Sequence, residues 1–173
     1  MKDKKSQELL EKYEFRSIHK DEVDQAIRIE HVCFSPSDAC SAKDISDRIE
    51  AASELFLVAV DRDTGKIAGF INGLSTKEFR FRDEFFSDAS LYDPDGKNIM
   101  LLGLDVLPEY RKQGLARELV YQYCRQQKEK GIEYFCLTCA ADKVKMYKKF
   151  GFVDKGLADS NWGGKEWHEM GLN

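Results

Sequence analysis

The stretch that most constrains the fold is "IMLLGLDVL", residues 99–107, which carries apolar residues at consecutive positions and ends at Pro108. A strand that is apolar on both faces needs cover on both faces, which predicts a central strand of a layered domain with helices packed over its sheet. The chain then runs at once into "EYRKQGLARELV", residues 109–120. From Gly114 onward, Leu115, Leu119 and Tyr123 recur every fourth residue with Val120 and Cys124 alongside, so a helix begins here, packs one face on the sheet and ends near Gly131. A strand that turns through a glycine into a helix N-terminus presents unpaired backbone N–H groups outward. Such a corner suits a phosphate: the glycine lets the backbone approach closely, and Arg111, Lys112 and Arg117 add positive charge.

The other elements follow from periodicity and turn residues. Tyr13 to Ile18 reads as a strand, and "KDEVDQAIRIEHVCF" and "AKDISDRIEAA" read as helices, the second capped by Ser41. "ELFLVAVD" and "KIAGFINGLS" form a hairpin around "RDTG". After the helix from Gly114 come a strand "IEYFCLTC", a helix "AADKVKMYKKF" stopped by Gly151, and a terminal hairpin of "FVDKGLADS" with "KEWHEMGL". The predicted order is strand, two helices, three strands, helix, strand, helix, two strands. It describes one α+β domain over residues 13–173, with residues 1–12 as an N-terminal extension. The connection "TKEFRFRDEFFSDASLYDPDGKN" is long for a compact domain and holds Phe79, Phe81, Phe85, Phe86 and Tyr92, as lids and binding segments often do.

Composition narrows the function classes. A chain of 173 residues suffices for one core, and a net charge of −4 argues against a whole surface that binds nucleic acid. No run is apolar for membrane-spanning length and the N-terminus lacks a signal-peptide core, so the sequence reads as a cytoplasmic protein without membrane contact. The five cysteines read as reduced thiols. Cys136 and Cys139 form a C-x-x-C, but no second pair completes a zinc site and no metal is expected.

Neither the dinucleotide glycine pattern nor the P-loop occurs. What does occur is [QR]-x-x-G-x-[GA], met by Arg111 to Ala116. Together with the preceding strand, "LDVLPEYRKQGLA" resembles the signature of the GNAT superfamily of acyl-CoA N-acetyltransferases, and "LTCAADKVKMYKKFGF" resembles its second signature. The finer likeness is to arylalkylamine (serotonin) N-acetyltransferases, through "LTC", "MYKKFGF", "WHEM" and "IEHVCFSPSDAC". The resemblance implies a mixed, mostly antiparallel sheet of six to seven strands, splayed at the CoA site and flanked by about four helices, with acetyl-CoA as co-substrate. It implies that the CoA diphosphate rests on the backbone of Arg111, Lys112, Gln113, Gly114, Leu115 and Ala116, near Arg117. The pantetheine arm would add to the strand end at Leu104, Asp105 and Val106, with the Leu104 N–H polarising the thioester carbonyl. Dimers through the C-terminal strands are a habit of the superfamily.

Tyr147 matches the family's tyrosine that protonates the departing thiolate, and Lys143, Lys145, Lys148 and Lys149 are expected to lower its pKa. The sequence departs from the serotonin-acetylating enzymes where they carry two histidines on the central strand, since Met100 and Leu102 stand there. Glu30, in the acceptor-side segment, and Asp105, which interrupts an apolar strand, are the alternatives for the base, with His31 behind them. Glu30, Phe34 and Pro36, with the aromatics around Phe81, Phe85 and Phe86, are expected at an acceptor pocket for an arylalkylamine. Asp38, Asp83, Glu84 and Asp88 would instead make an acidic mouth for a polyamine. The leading expectation is acetylation of a primary amine on a small molecule; a protein acetyltransferase and a non-catalytic acyl-CoA sensor remain alternatives.

Overall fold

The computed structural model describes residues 3–173. Seven strands form one sheet: β1 (Tyr13–Ser17), β2 (Phe56–Asp61), β3 (Ile67–Thr76), β4 (Asn98–Val106), β5 (Tyr134–Cys139), β6 (Val153–Leu157) and β7 (His168–Leu172), in spatial order β1-β2-β3-β4-β5-β7-β6. Six helices accompany it: α1 (Lys4–Lys12), α2 (Val23–Cys33), α3 (Ala42–Ala52), the short α4 (Glu84–Ser87), α5 (Leu115–Glu129) and α6 (Val144–Lys149). All neighbouring strands are antiparallel except β4 and β5. The expected α+β domain with a central, two-sided strand is what forms. No helix among the described residues is long and apolar enough to cross a membrane.

Both faces of the sheet are covered, and β2 shows how the sequence divides them. Phe56, Val58 and Val60 pack with Ile29 of α2 and Ile45 and Ile49 of α3, whereas Leu57 and Ala59 join the core that holds Leu119, Val120 and Tyr123 of α5. Ser41 caps α3 through its side chain as its identity predicts, accepting from the Asp44 N–H at 3.0 Å.

Two irregularities shape the middle of the sheet. Asn72 opposes Gly103 and Gly73 opposes Leu101, so Leu102 is an extra residue that bends β4. On its other side β4 pairs with β5 only over Asn98 to Met100. Beyond that point β5 continues against β7 up to Cys139, and the two strands part.

Candidate functional site

The gap between β4 and β5 opens into a cleft of about 480 Å³. Its walls come from β4 (Leu101 to Leu104, Val106), the end of β5 (Thr138, Cys139), α2 and the loop after it (Glu30, Cys33, Phe34, Asp38, Cys40), α5 (Ala116, Val120) and α6 (Met146, Tyr147). Beyond Met100, one edge of β4 is therefore hydrogen-bonded to β3 and the other is free. The Leu107 N–H donates to the Ala68 carbonyl of β3 at 3.0 Å, so alternation turns the Leu104 and Val106 N–H groups toward the gap. The Val106 carbonyl at this free edge accepts from Arg111 Nε at 2.8 Å and from the Cys33 thiol at 3.4 Å.

At the cleft's end, the expected turn is built by backbone conformation. Gly114 has φ +85° and stands as the N-cap of α5, and Lys112 is the one described non-glycine residue with positive φ, at +64°. Gln113 is held from the neighbouring elements, its Oε1 accepting from Lys12 Nζ at 3.1 Å and Tyr13 OH at 2.9 Å. Of the expected cations, Arg111 lines the cleft but is tied back to Val106, and Arg117 lies on the surface 3.9 Å from Asp3. Leu115 is buried in the core under the helix. Arg111, Lys112 and Arg117 are exposed at this corner, and Gln113, Gly114 and Ala116 are half-buried.

Tyr147 lines the cleft with its ring edge-on to Phe150 and Phe152, at centroid distances of 6.0 and 5.6 Å. The lysines around it do not lower its pKa. Burial pushes the phenol up, with Cys139 and Asp105 adding to the shift, because the lysine heads sit in water at exposed positions where their charge is screened.

Glu30 and Asp105 are brought together although one is on α2 and the other on β4. Both are buried, at 4% and 1% exposure. Glu30 Oε2 accepts the Cys40 N–H at 2.9 Å, while neither Asp105 oxygen has a hydrogen-bond donor. Burial first, then the adjacent Glu30 carboxylate, raises the Asp105 pKa well above the usual carboxylate range. His31 is outside this group: it is exposed and its Nε2 lies 3.0 Å from the Cys40 carbonyl oxygen. Phe34 and Phe86 line the cleft, whereas Phe81 and Phe85 are core residues and Pro36 is exposed away from the cleft wall.

Of the four acids expected at the mouth, only Asp38 lines the cleft. Asp38 pairs with Lys165, and Asp83 accepts from the Ser160 hydroxyl and the Asn161 N–H. These ties hold the segment between β6 and β7 across the mouth, where Trp162 stacks on Phe86 at 4.6 Å and its Nε1 donates to the Asp38 carbonyl at 2.8 Å. Trp162, Lys165 and Trp167 line the cleft and were not singled out from sequence, although two tryptophans in the polar, glycine-rich "NWGGKEW" are a visible signal. Arg48 was missed too. It falls on the buried face of α3 with Ile45, Ile49 and Ala52, and donates to Asn72 Oδ1, the Phe86 carbonyl and Cys40 Sγ with no carboxylate within ion-pair distance among the described residues.

The family model described as Acetyltransferase (GNAT) family matches residues 18–152. The chain belongs to the GNAT acetyltransferase family. Among solved structures similar to this GNAT chain is the loading GNATL domain of CurA from Lyngbya majuscula, with a TM-score of 0.78 and 15% identity over 93% of this chain and 97% of that one. Another is the GphF GNAT-like decarboxylase in complex with isobutyryl-CoA, at a TM-score of 0.71 and 17% identity over 91% and 97%. A third is yncA from Salmonella typhimurium, a putative acetyltransferase with its cofactor acetyl-CoA, at 0.64 and 16% over 93% of each chain. At these identities the likeness is one of fold. No curated protein sequence matches this GNAT chain.

Proposed function

We propose that this protein transfers the acetyl group of acetyl-CoA to the primary amine of a small molecule by direct attack. The observation that carries this reading is the parted edge of β4, where the Leu104 N–H faces a cleft that Tyr147 also lines. An extended pantetheine arm can pair with that free edge, and the backbone from Arg111 to Ala116 at the start of α5 can take the diphosphate, as the structures solved with CoA thioesters lend support for. The Leu104 N–H then donates to the thioester oxygen as negative charge develops there. The amine lone pair forms the C–N bond, the C–S bond breaks, and the departing sulfur takes the Tyr147 phenol proton. Nitrogen gives up two protons in all: one restores the phenol and the other leaves through the acids on the acceptor side, Glu30 and Asp105.

A small acceptor is favoured over a polypeptide because the ties from Asp38 and Asp83 hold the β6–β7 segment over the mouth, which narrows the approach. Phe34, Phe86 and Trp162 make the entrance aromatic, which suits the arylalkylamine likeness; the pairing of Asp38 with Lys165 leaves less free negative charge for a polyamine. Two copies would meet along edge strand β6, where Val153 and Leu157 are exposed. The test is release of CoA thiol from acetyl-CoA with arylalkylamines, polyamines and lysine peptides. Release with arylalkylamines is expected; release with peptides alone would replace this reading by protein acetylation, and acetyl-CoA binding without release from any acceptor would replace it by a sensor.

A further inference from the structure

Among the described residues, the Asp105 carboxyl is the one buried acid of the cleft region without a donor, and it lies against a second acid. Its place in the fold is fixed by three elements. Gly103 on β4 lacks a Cβ, and a Cβ there would lie 3.0 Å from Asn72 Nδ2, 3.2 Å from Asp105 Oδ1 and 3.8 Å from Glu30 Oε1. Three polar atoms from β3, β4 and α2 therefore converge on one notch beside Leu104. Arg48 fixes which way the Asn72 amide points, because its Nη1 donates to Asn72 Oδ1 at 3.3 Å and leaves Nδ2 facing the notch. The Cys40 N–H holds the other Glu30 oxygen, so Oε1 is the free one. Glu30 and Gly103 line the cleft directly, whereas Asp105 sits behind them.

Two carboxylates side by side and out of water cannot both stay ionised, so the stable state of such a pair is one proton held between two acids. The guanidinium of Arg48 reaches the pair through intermediaries, donating to Asn72 Oδ1 and to Cys40 Sγ. We propose that Glu30 and Asp105 act as one base, a carboxyl pair that shares a proton and accepts a second from the acceptor's ammonium across the Gly103 notch. This rests on the acetyl-transfer reading above and gives the proton of nitrogen a destination on a chain with Met100 and Leu102 where a histidine pair would serve. In the step, an N–H bond of the ammonium breaks, its proton joins Glu30 Oε1, and the freed lone pair attacks the thioester. The pair becomes neutral and later returns one proton to solvent. Asp105 is a positioning residue in this scheme: it holds the shared proton against Glu30 and does not line the cleft.

The experiment compares the wild type with the isosteric variants Glu30→Gln and Asp105→Asn and with Gly103→Ala, whose methyl group fills the notch. For each, the pH profile of kcat/KM for the amine, acetyl-CoA binding, and the infrared carbonyl band of a protonated carboxyl at neutral pH are measured. The titratable or charged groups facing the pair are Cys33 of α2, Cys40 of the loop after it, Arg48 of α3 and Tyr147 of α6. The expected result is a protonated-carboxyl band in the wild type that Asp105→Asn abolishes, and an acid limb of the rate profile that the same variant moves to higher pH, because the shared proton stabilises the singly charged pair against taking up a second proton. Glu30→Gln should lower kcat by about 10²-fold and Gly103→Ala should lower it as well, with acetyl-CoA binding kept in all three. Turnover in a wild type that shows no such band would overturn the shared proton while leaving acetyl transfer intact. An unchanged acid limb in Asp105→Asn, or full turnover in Glu30→Gln, would overturn the pair as the base. A wild type that shows the band but acetylates no amine would overturn the acetyl-transfer reading, and the base role with it.

Discussion

Tyr147 illustrates how burial outweighs nearby charge at the scale of one residue. Lys145, Lys148 and Lys149 are its neighbours in sequence, but on α6 they are exposed while the phenol turns toward the cleft. Water screens the ammonium groups, and desolvation keeps the phenol protonated throughout the physiological range, as a proton donor must be. Tyr147→Phe should therefore lower turnover by about 10²-fold or more with acetyl-CoA binding unchanged, measured by single-turnover kinetics and by titration calorimetry. A second residue-scale case is Glu22, which takes both Arg16 Nη1 and Nη2 at 2.8 Å and the His19 N–H at 2.8 Å. The Arg16 guanidinium holds its carboxyl below the usual 4.5. A depressed folded-state pKa gives stability that is complete above 4.5 and is lost as pH falls through the lower folded value. In chemical denaturation the wild type should exceed Glu22→Gln in stability at neutral pH, and the difference should shrink at pH values below 4.5. An unchanged difference would place the loss in packing instead of charge. That Tyr147 and Glu30 line the cleft follows segments legible in the sequence, whereas which side chains meet them, Asp105 beside Glu30 included, was not, since no local pattern reports which side chains converge from separate elements.

Among the elements, the junction of β4 with α5 was the most legible, because a glycine between an apolar strand and a helical repeat has few local alternatives. Gly114 meets the expectation with φ +85°, and the structure adds a neighbour: a Cβ there would lie 2.9 Å from Cε of Lys5 on α1. Gly114→Ala must bear a left-handed conformation that costs about 1–2 kcal/mol and must displace Lys5. Acetyl-CoA affinity should fall by about tenfold, as measured by calorimetry, and by more than in the double variant Arg111→Ala with Lys112→Ala. The reverse ranking would assign the diphosphate to side chains instead of backbone. The first twelve residues read as an extension because Leu9 and Leu10 stand alone among polar neighbours. Tertiary contacts decide their fate: Leu9 enters the main core, and Ser6 Oγ donates to the buried Glu118 of α5 at 2.8 Å. Arg48 and Asn72 occupy inward positions of clean apolar repeats, Ile45-Arg48-Ile49 on α3 and Phe70-Asn72-Leu74 on β3. A polar residue on a buried stripe is a signal that sequence can register without revealing what it bonds.

For the molecule as a whole, the cleft depends on segments far apart in the chain, with Asp38, Phe86 and Trp162 meeting at its mouth. Trp162→Ala removes the stacked ring and the bond to the Asp38 carbonyl together. It should raise KM for the amine about tenfold or more and leave KM for acetyl-CoA unchanged, as read from initial rates with each substrate varied. A change confined to acetyl-CoA would put Trp162 on the cofactor side. The sequence by itself determined the sheet's central strand, the glycine corner at its end and the order of the elements apart from α1 and the short α4, because each rests on periodicity and turn chemistry within about twenty neighbouring residues. Only the tertiary structure decided that β4 and β5 part after Met100 and Cys136, that Asp105 stands beside Glu30, and that the β6–β7 segment crosses the mouth. Those features arise from packing between residues distant in the chain, where the energy of a contact leaves no mark on local spacing.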